Sequence, residues 1–172
     1  MLIYEVLTQD HKEVKKLLAQ LVAMDENTAN HERGDLISEI RDALIPHSRA
    51  EEAVLYNSLR ALKASKKIAM HGYQEHLFAE TLLRTLQVAT KIDAGWKTLA
   101  TELKAALESH IAEEETEIFS AARAQFTSQE AKVMAEVFLD MKPTIKKQGL
   151  VGTTGQMVAN LLPQALVDSF RL

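Results

Sequence analysis

Two stretches of the chain place a glutamate four residues after a histidine: His47-Ser48-Arg49-Ala50-Glu51 and His110-Ile111-Ala112-Glu113-Glu114. On a helix that interval puts both side chains on one face, about 6 Å apart along the axis. Leu44 precedes the first pair, and Leu103 and Leu107 precede the second, so the shared face is the apolar one. Each glutamate therefore stands where a core would want leucine. A lone carboxylate buried there is strongly unfavourable or takes up a proton. Two facing one another across a core also repel. A divalent or trivalent cation between them removes both penalties, and imidazole with carboxylate is a donor set suited to iron.

Two further histidines fit the same face pattern. His11 lies between Leu7 and Val14, and His76 shares a face with Ala69, Tyr73 and Leu83. A single inward histidine is more often a hydrogen-bonded core residue, and a single His-x-x-x-Glu is usually an exposed ion pair. Four inward histidines and two inward glutamates together are hard to obtain by chance. The candidate ligands are His11, His47, Glu51, His76, His110 and Glu114. His31, in the first connection, and His71, about 140° around the helix from His76, read as surface residues. Glu52, Glu113, Glu115 and Glu117 read as charges on solvated faces, although Glu52 or Glu113 could replace its neighbour as ligand if a helix is kinked. Tyr73 reads as a packed core residue, or else as a hydrogen-bond donor near the metal.

Positioning these residues calls for four long helices. The periodicity predicts helices over about 2–24, 34–63, 65–91 and 96–126, with Pro46 kinking or restarting the second just before His47. Ser65 reads as the N-cap of the third, and Asp93-Ala94-Gly95 as its end. The connections are short, so the expected fold is all-α: an antiparallel up-down-up-down four-helix bundle over residues 1–126. Residues 127–172 form a C-terminal helical extension packing on it. There Thr127-Ser128-Gln129-Glu130 has the capping-box pattern, Ala131 to Met141 form a helix body, and Pro143 ends it. An apolar piece, Met157 to Leu162, follows Gly149, Gly152 and Gly155.

The rest of the composition narrows the function. With 172 residues, 47% apolar and 26% charged, the chain suits one soluble domain with a real core. A net charge of −4 without a basic stripe argues against nucleic acid as a partner. There are no cysteines, which excludes disulfides, thiolate metal sites and iron–sulfur clusters held by this chain alone. No run is long enough to span a membrane, and the first residues run straight into a helical pattern without a secretory signal. The expected location is the cytoplasm.

The series His11, His47-x-x-x-Glu51, His76, His110-x-x-x-Glu114 resembles the hemerythrin-like, or HHE cation-binding, family over residues 2–126. Ferritin-like di-iron bundles carry Glu-x-x-His instead, and no histidine here has a glutamate three residues before it. The resemblance implies two iron ions in an oxo- or hydroxo-bridged centre, with Glu51 and Glu114 as bridging carboxylates and the histidines as terminal ligands. Oxygen carriers of the family bear two histidines a turn apart on the third helix. Here the residue four before His76 is Gly72. About two of the twelve positions on two octahedral irons are then left open or take water. That openness favours chemistry or sensing over simple oxygen carriage, with O₂, peroxide or nitric oxide as the small ligand. The alternative is an iron- or oxygen-responsive interaction module without turnover, its protein partner unknown.

Overall fold

The computed structural model describes residues 1–148, and the Met157–Leu162 piece lies outside them. Every regular element among the described residues is helical. Helix α1 spans Ile3–Ala23, and α2 spans Asn30–Glu51. A π-helical turn, Glu52–Tyr56, joins α2 without a break to α3, Asn57–Ala61. Helix α4 runs from Lys66 to Val88 and α5 from Ala94 to Glu113. A second π turn, Glu114–Ile118, leads into α6, Phe119–Gln125, and α7 covers Ser128–Gln148.

The ends of these helices have local chemical causes. Asp93 caps α5 by accepting a hydrogen bond from the Trp96 amide at 2.9 Å, so it opens that helix rather than closing α4. Ser65 occupies the cap position of α4, but its hydroxyl donates to the Leu59 carbonyl at 2.8 Å and so seals the preceding corner. The capping box before α7 is formed in both directions. Thr127 N donates to Glu130 Oε2 at 2.7 Å, and Glu130 N to Thr127 Oγ1 at 3.2 Å.

Three sequence expectations need correction. Helix α2 starts at Asn30, four residues early, because a tight turn closes at Thr28, whose amide donates to the Asp25 carbonyl. His31 consequently sits exposed in its first turn. Pro46 does not restart α2, which runs through it unbroken, and Pro143 lies inside α7 rather than ending it. Each proline forfeits one backbone bond. Packing on both sides outweighs that loss: Leu44, Ile45, His47 and Ser48 are buried around Pro46, as are Met141 and Ile145 around Pro143.

Helices α1, α2, α4 and α5 form a ring in which α1 packs on α2 and α5, and α4 packs on the same two. Two apolar clusters fill it. One gathers Ile3, Leu7, Leu55, Tyr56, Leu59 and Phe119, with Met134 and Phe138 from α7. The other gathers Val14, Leu18, Leu21, Leu36, Ile40, Leu83, Trp96 and Leu103. Each buried leucine contributes about 1.5–3 kcal/mol. Along α1 and α4 the chain passes from the first cluster to the second, and it returns along α2 and along α5 with the π turn that follows it. In every case the inward histidine falls at the crossing. The candidate ligands thus form a polar layer between two greasy halves.

Candidate metal centre

The structure brings all six sequence-selected side chains together. His11, His47 and Glu114 form one trio whose donor atoms lie within 4.8 Å of one another, and Glu51, His76 and His110 form a second. Each glutamate reaches a histidine in both trios. Glu114 Oε2 is 3.3 Å from His11 Nε2 and 3.6 Å from His110 Nε2. Glu51 Oε2 is 3.4 Å from His76 Nε2 and 3.7 Å from His47 Nε2. The two carboxylates therefore span both trios. His76 Nε2 and His110 Nε2 approach to 3.1 Å.

Behind the imidazoles stands a closed circuit of carboxylates. Asp10 of α1 faces His47 Nδ1 on α2 at 3.0 Å, and Glu52 at the end of α2 faces His76 Nδ1 on α4 at 3.0 Å. Glu75 of α4 faces His110 Nδ1 on α5 at 2.9 Å, and Glu115 after α5 faces His11 Nδ1 on α1 at 2.9 Å. Each helix supplies one imidazole to the centre and one acid to the next helix's imidazole. An Nδ1–H donated to a carboxylate fixes the tautomer, so the Nε2 lone pair points inward and becomes more basic.

Both π turns sit immediately at the two buried glutamates. A π turn holds one residue more than an α turn and is frequent at functional sites. It lets neighbouring residues, Glu51 and Glu52 or Glu114 and Glu115, serve two different partners of the same centre. Tyr73 stabilises the first wide turn, its hydroxyl bonding to Asn57 Oδ1 at 2.8 Å and lying 3.2 Å from the Glu52 carbonyl oxygen. Tyr56, at the end of that turn, stacks on His76 with ring centroids 5.3 Å apart. Its ring covers Gly72. The glycine that stands where a fifth histidine could stand is thus filled by a tyrosine from another helix.

The electrostatics of this layer favour a cation. Glu51 and Glu114 are 0% exposed, and none of their four oxygens has a hydrogen-bond partner; nor has His11 Nε2. Burial, with the charge of Glu114 added, pushes the Glu51 carboxyl well above its usual range. Burial also acts to raise Glu114, but the neighbouring Glu51 carboxyl and the adjoining His11 and His110 rings outweigh it and bring it below its usual range. Left to themselves, the two acids would hold one proton between them. Burial lowers His47 to about 4, so it is a neutral donor at physiological pH. Desolvation lowers His76 in the same direction. The donor set and its orphaned atoms therefore fit one or more metal ions of borderline hardness.

Sequence reading missed Asp10 and Glu75 and took Glu52 and Glu115 for solvated charges. Their signal is adjacency: Asp10 and Glu75 each precede an inward histidine, and Glu52 and Glu115 each follow an inward glutamate. Glu52 takes a supporting place, outside the two trios, and Glu113 points outward toward His71. Glu117 and His71 are exposed, as expected.

The comparisons with known proteins agree with this geometry. The family model described as the hemerythrin HHE cation binding domain matches residues 2–122. No curated protein matches the chain. Among solved structures, a hemerythrin HHE cation binding domain-containing protein from Mycobacterium kansasii is similar, with 26% identity and a TM-score of 0.73. The likeness covers 94% of this chain and 99% of that one. The chain belongs to the hemerythrin HHE cation-binding family.

Proposed function

We propose that the polar layer holds two iron ions, one per trio, with Glu51 and Glu114 spanning both, and that the centre binds or reacts with O₂, peroxide or nitric oxide. The observation that carries this reading is the complete burial of two carboxylates whose four oxygens have no partner of their own. When bound, a pair of irons would supply redox equivalents and open positions for a small ligand.

The chain's own residues set the rest. The circuit of Asp10, Glu52, Glu75 and Glu115 holds the imidazoles in their ligating tautomer. Val14, Leu44, Leu107 and Ile111 wall a cavity of about 10 Å³ against the four histidines. That is room for about one water molecule, the scale of a diatomic or peroxide.

The test is anaerobic reconstitution with ferrous iron, followed by metal analysis and absorption spectra after exposure to each ligand. About two irons per chain, with new bands on exposure, is expected. Substoichiometric iron after full reconstitution would remove the proposal.

A second reading, a sensor without turnover, draws on the link from α7 to the centre. Lys142 of α7 pairs with Asp10, which in turn faces His47. Metal occupancy could be relayed along that contact. Amide exchange in α7 that changes on iron loading, with no ligand consumed, would favour it.

A further inference from the structure

Three of the supporting acids, Asp10, Glu52 and Glu75, differ in what stands behind them. Asp10 pairs with Lys142, and Glu52 pairs with Arg49, which also pairs with buried Glu80. Lysine and arginine are fixed cations that repel an approaching metal ion. Glu75 is backed instead by an imidazole: its Oε1 is 3.5 Å from His71 Nε2, while its Oε2 accepts from the ligand-bearing His110. Glu113 of α5 completes the group, its Oε2 also 3.5 Å from His71 Nε2. The three donor atoms lie within 4.8 Å of one another.

These separations are long for hydrogen bonds. They match the edge of a coordination sphere: two donors held at about 2.1 Å on a tetrahedral ion stand about 3.4 Å apart. His71 and Glu75 are four residues apart on α4, the interval that lets two side chains share one ion. The side chains of His71 and Glu113 are 55% and 44% exposed, so the group opens to solvent.

Its place in the fold gives it a use. The six residues of the buried layer are all 3% exposed or less, so an ion must pass from the protein's outside through its packing to reach them. Glu75 is one carboxylate with an oxygen on each side of that boundary. We propose that His71, Glu75 and Glu113 form a second, outer site for a divalent transition metal ion, which concentrates ions beside the buried centre and speeds its loading. This rests on the reading of the buried layer as a metal centre.

The experiment uses the full chain and the variants His71→Ala and Glu113→Gln, whose side chains lie outside the six buried donors. Zinc titrations by calorimetry should show one ion per chain more in the wild type than in either variant. Ferrous loading of the buried centre in metal-free protein, followed by stopped-flow absorption, should slow about tenfold in His71→Ala and reach the same final amplitude for that centre. Equal zinc stoichiometry, or equal loading rates, overturns the proposal. Failure of the buried centre would look different, since neither wild type nor variant would then develop that centre's iron absorption, whatever their zinc stoichiometry.

Discussion

The ring of Tyr56 occupies the space into which a side chain at residue 72 would grow: a Cβ built on Gly72 would stand 2.5 Å from Tyr56 Cε2 and 2.7 Å from Cζ. Such contacts require one group to move. Tyr56 is fully buried and stacked on His76, so it has little room. Gly72→Ala should destabilise the protein by about 1–3 kcal/mol through overpacking, read by urea denaturation. Tyr56→Phe should not relieve the clash, because the ring carbons cause it. A Gly72→Ala protein as stable as wild type would mean the ring moves aside freely.

Glu51 and Glu114 should harm the metal-free protein and serve only the loaded one. Replacing both with leucine should make chelated protein about 1–4 kcal/mol more stable than chelated wild type. The same variant should ignore added iron. Wild type should gain about 2.7 kcal/mol at a free metal concentration one hundred times the dissociation constant. Thermal melts of both proteins, with and without metal, decide the matter. A leucine pair less stable than chelated wild type would show that the carboxylates have partners of their own.

Loading should release protons. Burial and Glu114 hold a proton on Glu51 above the usual carboxylate range, and the cation must displace it. Burial lowers His11, but Glu114 and Glu115 outweigh that and raise it, so it can contribute a second proton. His47, lowered to about 4 by burial, contributes none near neutrality. Metal affinity should therefore rise with pH through the elevated range of Glu51 and His11 and fall as pH drops. Titration in weakly buffered solution should detect about one to two protons released per chain, and a pH-independent affinity would contradict the assignment.

Asp10→Asn should weaken metal binding by about 10–100-fold without touching a donor atom, because it puts a neutral amide in place of the carboxylate behind His47 Nδ1. Competition with a chelator measures this. Glu117→Gln, at an exposed position, is the control and should change nothing.

Helix α7 should behave as part of the core. Phe138 is 0% exposed, and its ring meets the His47 ring edge-on at 5.7 Å. Phe138→Ala should cost about 3–5 kcal/mol. It should also speed iron loss to a chelator, since His47 loses its wall. Iron retention equal to wild type would separate α7 from the centre.

The convergence of six polar side chains was legible because the helical period places His11, His47, Glu51, His76, His110 and Glu114 on apolar stripes. The supporting acids were not legible on one helix. Asp10 lies about 100° from His11 around α1 and finds its partner only when α2 is docked beside it. The π turns leave no residue signature, since a shifted backbone bond is compatible with the same sequence. Pro46 and Pro143 misled for the opposite reason: the local rule was sound, and packing around Ile45 and Ile145 overrode it.

The circuit of acids has a bearing on assembly. A helix that slid by one residue would misplace its own imidazole and also withdraw the acid that its neighbour's imidazole needs. One fault is thus registered at two corners of the square. Correct docking of all four rods and readiness of the interior donors become a single event, and the centre serves the chain as a checksum on its own construction.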